Sequence, residues 1–266
     1  MDPFRFRAGK TPLLVSIPHA GTHVPADIAA RLSPAARPLP DTDWHVDRLY
    51  DFLGDLGVGV ICATHSRYVI DMNRAPDDTP LYPGASNTGL CPVTTFDEMP
   101  VYGDGAAPDA AEIAARREAI WRPYHERLQT ELAALVARHG VAVLWDAHSI
   151  RSHVPRFFEG RLPDLNFGTG GGTTADPTLV RSLAQVADDT PEYTHVVDGR
   201  FKGGYITRAY GKPASRVHAV QLELSQITYM DEDAPYGFRE DLAAGIRPLL
   251  RDLLHAAQEW IQAQAK

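Results

Sequence analysis

Four short apolar runs bounded by turn residues recur along the chain: PLLVSI at 12–17, GVGVICAT at 57–64, VAVLWDAHS at 141–149 and HAVQLELSQ at 218–226. Runs of this length, rich in Val, Leu and Ile, predict strands buried on both faces, as in a mainly parallel sheet. Between them the apolar period changes to three-to-four. Val46, Leu49, Tyr50, Leu53 and Leu56 predict a helix over 43–57, with Asp43 as its N-cap and Gly57 as its stop. Residues 109–140 predict a long helix ending at Gly140, kinked or broken at Pro123, and 176–189 and 239–264 predict two more, the last with Pro248 inside it. Alternating strands and helices make this an α/β chain with helices on both faces of the sheet.

Two stretches resist the pattern. Residues 72–108 are dense in Pro, Gly and Asp, and 151–175 contain NFGTGGGTT. Both read as long loops, and loops this long inside a compact domain usually carry function; 72–108 is a candidate lid. With no internal repeat and no clean linker, residues 1–266 read as one domain.

Composition narrows the classes. The 266 residues are 44% apolar and 23% charged, the balance of a globular protein with a sizeable core. Lys and Arg total 26 against 34 Asp and Glu, a net charge of −8. Without a basic stripe, that charge argues against nucleic acid and against an anionic membrane surface as partners. Cys62 and Cys91 form no CxxC motif and no disulfide framework, which fits a reducing compartment. The opening MDPFRFRAGK has no apolar signal core, and no run reaches the ~18 apolar residues of a membrane helix, so a cytoplasmic protein is expected.

The chemistry gathers at strand exits. LLVSIPHAG ends its apolar run in His19, and WDAHSI repeats the arrangement with His148. In open α/β sheets, ligands bind outside the carboxyl ends of strands. Two histidines meeting there, with one carboxylate, make a familiar catalytic zinc set with a position left for water. The carboxylate candidates are Asp41, Asp43 and Asp47. Asp43 is the better cap, whereas Asp47 begins the helix and can point back at the sheet edge; His45 would lie on a different helix face from Asp47. Glu223, near the end of VQLELSQ, is an acid in a core-like run, where burial raises a carboxyl toward working pH for general base catalysis. HSRYVIDMNRAP at 65–76 places Arg67, Asp71, Asn73 and Arg74 at and beyond a strand pattern, and Arg74 carries a fork suited to a carboxylate. GRFKGGYITRAYGKP at 199–213 adds Lys202 and Arg208 around a Gly-Gly pair, so an acidic small substrate is indicated. Each feature has a plainer alternative: a strand cap for His19, a helix cap for Asp43, a salt-bridged acid for Glu223, a surface ion pair for Arg74 and a solvated hairpin for 199–213. GTGGG at 168–172 invites a phosphate but is not placed between a clear strand and a helix start, and no GxGxxG, GxxxxGK[ST] or GxSxG occurs.

The blocks SIPHAG, DTDWHVDRLYDF, THSRYVIDMNR, LYPG, DAHSI, LNFGT, FKGGYITRAYG and QLELSQ, in this order over nearly the whole chain, resemble the N-formylglutamate amidohydrolase family. The resemblance implies a mixed, mainly parallel sheet flanked by helices on both faces, with the zinc carboxypeptidase-like (phosphorylase/hydrolase-like) fold of the carboxypeptidase and aspartoacylase group. It implies one divalent metal ion, zinc first, with Co, Ni, Mn and Fe as alternatives for such a site. It also implies a glutamate base, an asparagine–arginine pair for a substrate carboxylate, and hydrolysis of N-formyl-L-glutamate to L-glutamate and formate, late in histidine degradation. His19 and His148 match the ligands, Glu223 the base and Asn73–Arg74 the pair; Arg67, Lys202 or Arg208 would hold a second carboxylate or steady the oxyanion. The carboxypeptidase relatives carry HxxE on one loop, but Ala20, Gly21 and Thr22 follow His19, so the acid ligand comes from elsewhere: Asp47, with His23 as a further alternative. Runners-up are a zinc deacylase of another N-acyl amino acid, a carboxypeptidase-like peptidase, and a non-catalytic binder of an acidic metabolite.

Overall fold

The computed structural model describes every residue except Tyr82, Pro83, Ala85, Ala265 and Lys266. Part of the LYPG block and of the 72–108 stretch therefore lies outside the described residues. The strands are β1 (Phe4–Arg7), β2 (Leu13–Ile17), β3 (Gly59–Ala63), β4 (Ala142–Ile150), β5 (Leu165–Gly168), β6 (His195–Val197) and β7 (Val217–Ser225). They form one mixed sheet in the order β1-β3-β2-β4-β7-β5-β6. The four apolar runs are its parallel centre, β3-β2-β4-β7. At the edges β1 runs antiparallel to β3, β5 antiparallel to β7, and β6 parallel to β5. β5 falls inside the stretch expected to be a loop: LNFG is too short, and too close to glycines, to announce a strand.

Period-two alternation divides the sheet between two cores. Leu13, Val15, Val143, Trp145, Ala147, Val220 and Leu222 face α5 (Pro177–Asp188) and α7 (Glu240–Gln264). Leu14, Ala142, Leu144 and Ala219 face α4 (Arg122–His139). On this second face the alternation continues from Leu144 into Asp146 and His148, and from Ala219 into Gln221 and Glu223, all buried. A polar wall is thus hidden in the carboxyl halves of two strands that read as apolar.

The helix expected over 43–57 is mostly absent. Only one turn forms, α2 (Val46–Leu49), followed by a 3-10 turn at Asp51–Gly54. His45 takes a left-handed conformation (φ 63°), which blocks helix before Val46, and the backbone N–H of Asp43 is spent on the carbonyl of His19. Asp43 therefore caps nothing. The helical stretch at 109–140 is α3 (Ala110–Arg116), a π turn at Arg117–Trp121, and α4. Asp109 caps it by accepting from Glu112 N (2.8 Å), and Gly140 (φ 76°) ends it. The kink or break expected at Pro123 appears as the π turn just before it, within a helical stretch that is otherwise continuous. α7 continues through Pro248. Two short helices complete the set, α1 (Ala26–Ala29) and α6 (Tyr205–Tyr210), so 199–213 is not a hairpin. Residues 65–74 are buried loop and turn rather than strand, apart from the isolated His23–His65 bridge. No helix among the described residues is long and apolar enough to cross a membrane.

Candidate active site

His19 leaves the end of β2 after Pro18, and His148 stands near the end of the adjacent β4, so the sheet itself brings them together. Their ring centroids are 4.9 Å apart and both are buried. Asp43 lies between them: its Oδ2 is 3.1 Å from Nδ1 of His148 and 3.6 Å from Nδ1 of His19. Among the described residues, these three form the group whose candidate donor atoms all lie within 4.8 Å of one another. Ligands on tetrahedral bonds of about 2.0–2.1 Å stand about 3.3 Å apart, so the donor spacing fits a first-row divalent ion. The far ring nitrogens are also held by acids, as metal-ligating histidines require: Nε2 of His19 is 2.7 Å from Asp71 Oδ1, and Nε2 of His148 is 3.2 Å from Asp146 Oδ2.

The acid of this cluster is Asp43, not the expected Asp47. Asp47 sits within the single turn of α2, 40% exposed, and pairs with Arg5 at 2.7 Å on a separate pocket lined by β1 and β3 residues. Asp43 comes before the turn, in loop backbone tied to His19, and its Oδ2 accepts from Ser149 N (3.1 Å). Asp41 is also buried, but it accepts from Tyr68 Oη (2.6 Å) and Phe96 N (2.9 Å) instead. His45 meets the Tyr236 carbonyl (2.7 Å), and His23 packs on His65.

Glu223 is the Cα partner of His148 across the β4–β7 pair, and its Oε2 accepts from Gln221 Nε2 at 3.1 Å. Burial pushes its carboxyl up to about 8; His148 and Arg67 oppose the rise, and Asp43 and Asp146 add to it. Burial alone would lower His148, but Asp146 and Asp43 outweigh it and hold the ring well above its ordinary value. Asp43, against burial, is held below the usual carboxylate range by His19, His148 and Arg67. Arg67 is buried, with its guanidinium on Asp43 Oδ1 (3.1 Å), near Asp71 Oδ2 (3.9 Å) and against Nδ1 of His19. An ion on His19 would replace that last contact and leave Arg67 with the two acids.

The cluster opens into a cleft with about 600 Å³ of empty space, lined by His19, Arg67, Asn73, Arg74, Phe96, His148, Ile150, Phe157, Arg200, Phe201, Gly204, Gln221 and Glu223, among others. Asn73 Nδ2 lies 3.0 Å from His148 Nε2, and its Oδ1 accepts from Ile206 N (2.8 Å). Arg74 lines the wall with its guanidinium on the Thr88 carbonyl (2.9 Å) and hydroxyl (2.8 Å). Lys202 and Arg208 are exposed and absent from the lining; Arg208 Nε turns to the Gly203 carbonyl (2.9 Å). The cation that the 199–213 stretch sends into the cleft is Arg200, which the sequence did not distinguish from its neighbours. The GTGGG turn holds an anion of its own: Thr169 N and Gly171 N donate to Asp198 Oδ1 at 2.7 and 3.3 Å. An internal carboxylate thus fills the slot a phosphate would need.

A family model for N-formylglutamate amidohydrolase matches residues 11–230. An N-formylglutamate deformylase of Pseudomonas aeruginosa is 52% identical over 255 residues, 96% of each chain. One from Pseudomonas putida is 51% identical over 255 residues, 96% of this chain and 95% of its own. The crystal structure of N-formylglutamate amidohydrolase from Ralstonia eutropha superposes with a TM-score of 0.82 at 27% identity, over 99% of this chain and 98% of that one. A protein of Agrobacterium tumefaciens shares the fold at a TM-score of 0.75 and 19% identity, over 98% of this chain and 97% of that one.

Proposed function

Because the chain belongs to the N-formylglutamate amidohydrolase family, we propose that it hydrolyses the amide of N-formyl-L-glutamate to L-glutamate and formate. The observation that carries this reading is the convergence of His19, Asp43 and His148 beside Glu223 on one cleft rich in arginine. His19, Asp43 and His148 would hold a divalent ion, zinc by the chemistry of two imidazoles and one carboxylate. Such an ion, when bound, lowers the pKa of water and polarises a carbonyl.

The chain's own groups supply the remainder. Glu223 takes a proton from the attacking water and delivers it to the amide nitrogen as the C–N bond breaks. Arg67 would supply a buried positive charge to the oxygen that becomes negative in the tetrahedral state; such donors typically contribute about 3 kcal/mol. Arg74, next in the chain to the Asn73 that touches His148, lines the cleft and would orient the α-carboxylate.

Elemental analysis of the purified protein, combined with formate release from N-formyl-L-glutamate, tests the reading. The expected result is about one divalent ion per chain and formate release that stops on chelation and returns with added metal. Turnover of N-acetyl- or N-succinyl-amino acids in preference to the formyl substrate would move the activity to another deacylase class. Glutamate binding with no metal and no turnover would make the protein a binder.

A further inference from the structure

Among the described residues, three arginines line the cleft, Arg67, Arg74 and Arg200, together with the acid Glu223. These guanidinium groups are suited to an anionic ligand. The three differ in their surroundings. Arg67 lies between Asp43 and Asp71, which match its charge. Arg74 stands beside Asn73, at the edge of the His19–His148 cluster. Arg200 joins the cleft through an apolar wall instead. Its Nε donates to the Phe157 carbonyl, and its guanidinium lies 5.4 Å from the Phe201 ring centre and 5.9 Å from that of Phe157. Phe157 and Phe201 pack with Phe96 and Ile150 in one cluster, and Ile150 ends the strand that carries His148. From His148 the wall thus continues through Ile150 and Phe157 to Arg200.

The loop presenting Arg200 is fixed on both sides. Asp198 is bound by Thr169 N and Gly171 N, the Lys202 carbonyl accepts from Gly170 N (2.7 Å), and Gly204 N donates to Gln221 Oε1 (2.7 Å). A cation on a pinned loop loses little freedom on binding. Resting on the deformylase reading above, we propose that Arg200 binds the side-chain carboxylate of the substrate, with the connecting methylenes over Ile150 and Phe157, and that this contact sets the preference for an acidic over a neutral side chain.

Calorimetric binding of L-glutamate and L-norvaline, which has the same backbone and no side-chain carboxylate, reads this contact without turnover. Arg200→Gln is expected to weaken glutamate binding about tenfold or more, the loss of a charge-assisted pair, while norvaline binding stays within about twofold. Arg200→Lys recovers part of the affinity, because it keeps the charge and loses the fork. In turnover, Arg200→Gln is expected to raise KM for N-formyl-L-glutamate far more than it lowers kcat, and to leave N-formyl-L-norvaline unchanged. Equal glutamate affinity in wild type and Arg200→Gln, a parallel loss for both ligands, or a wild type that does not prefer glutamate overturns the assignment. Selective loss of glutamate binding in a protein that releases no formate keeps the Arg200 contact and removes the reaction.

Discussion

His148 and Glu223 are register partners in the parallel β4–β7 pair, on the sheet face turned away from α5 and α7. The proposed ligand and the proposed base are therefore set by the same backbone ladder, without a loop between them. In a parallel pair a one-residue slip would turn either side chain to the opposite face, so strand register itself maintains the pairing.

Glu223→Gln tests the base. The amide oxygen still accepts from Gln221 Nε2, so shape and packing persist while the proton acceptor is lost. We expect kcat to fall by about 10²–10⁴-fold with metal content and fold retained. There is a stability signature as well. The folded-state carboxyl is raised from 4.5 to about 8, so in the metal-free wild type its contribution is intact below 4.5 and lost as pH climbs through 8. The metal-free variant should therefore gain on the wild type over that window in thermal melts. Near-normal turnover in Glu223→Gln would take this residue out of the chemistry.

Asp43→Asn and Asp47→Asn separate the two acids that sequence left competing. Asp43→Asn removes the charge from the cluster while an oxygen remains for Ser149 N, and metal affinity in a chelator competition should drop by more than the 10–100-fold seen for outer partners of metal ligands. Asp47→Asn removes an exposed pair with Arg5, worth less than about 1 kcal/mol, and should leave metal and activity as they were. The reverse result would return Asp47 to the site.

Particular residues show what could be read in advance. His19, His148 and Glu223 were legible because an apolar run that ends in a polar group, at the carboxyl end of a strand, violates the strand's own burial pattern. Asp43 was not, because a helix cap and a ligand call for the same residue type; only the contacts from His19 O and Ser149 N, distant in sequence, decide between them. The helix over 43–57 failed for a local reason: its apolar spacing is equally met by one α turn and a 3-10 turn once His45 is left-handed. The strand pattern read in 65–76 did not form a strand: its backbone groups pair in turns, with Asp71 N on Leu90 O, rather than in the sheet. In 199–213, which cation enters the cleft depends on how Asp198 and Gly204 anchor the loop, and neither anchor leaves a mark in composition. The mixed sheet was legible in its parallel centre, whereas β5 and β6 are too short to carry a period.

His125 links the site to acid stability. It stacks on Trp121 with ring centroids 3.7 Å apart, donates from Nε2 to the Met72 carbonyl (2.9 Å), and its Nδ1 lies 2.9 Å from Tyr210 Oη. It thereby pins the residue before Asn73 to α4. Burial lowers its pKa from 6.5 to about 3, against the Met72 carbonyl and Asp146, which favour the charged ring. The unfolded chain binds a proton below 6.5 that the folded chain refuses, so this residue's support is intact above 6.5 and lost as pH falls toward 3, by up to about 1.4 kcal/mol per pH unit. His65, lowered to about 4 chiefly by burial, acts in the same direction. Urea unfolding between pH 7 and 4 should show the wild type losing stability more steeply than His125→Gln, by about one proton's slope, even though the variant starts less stable. Parallel slopes in the two proteins would mean that His125 takes up its proton without unfolding.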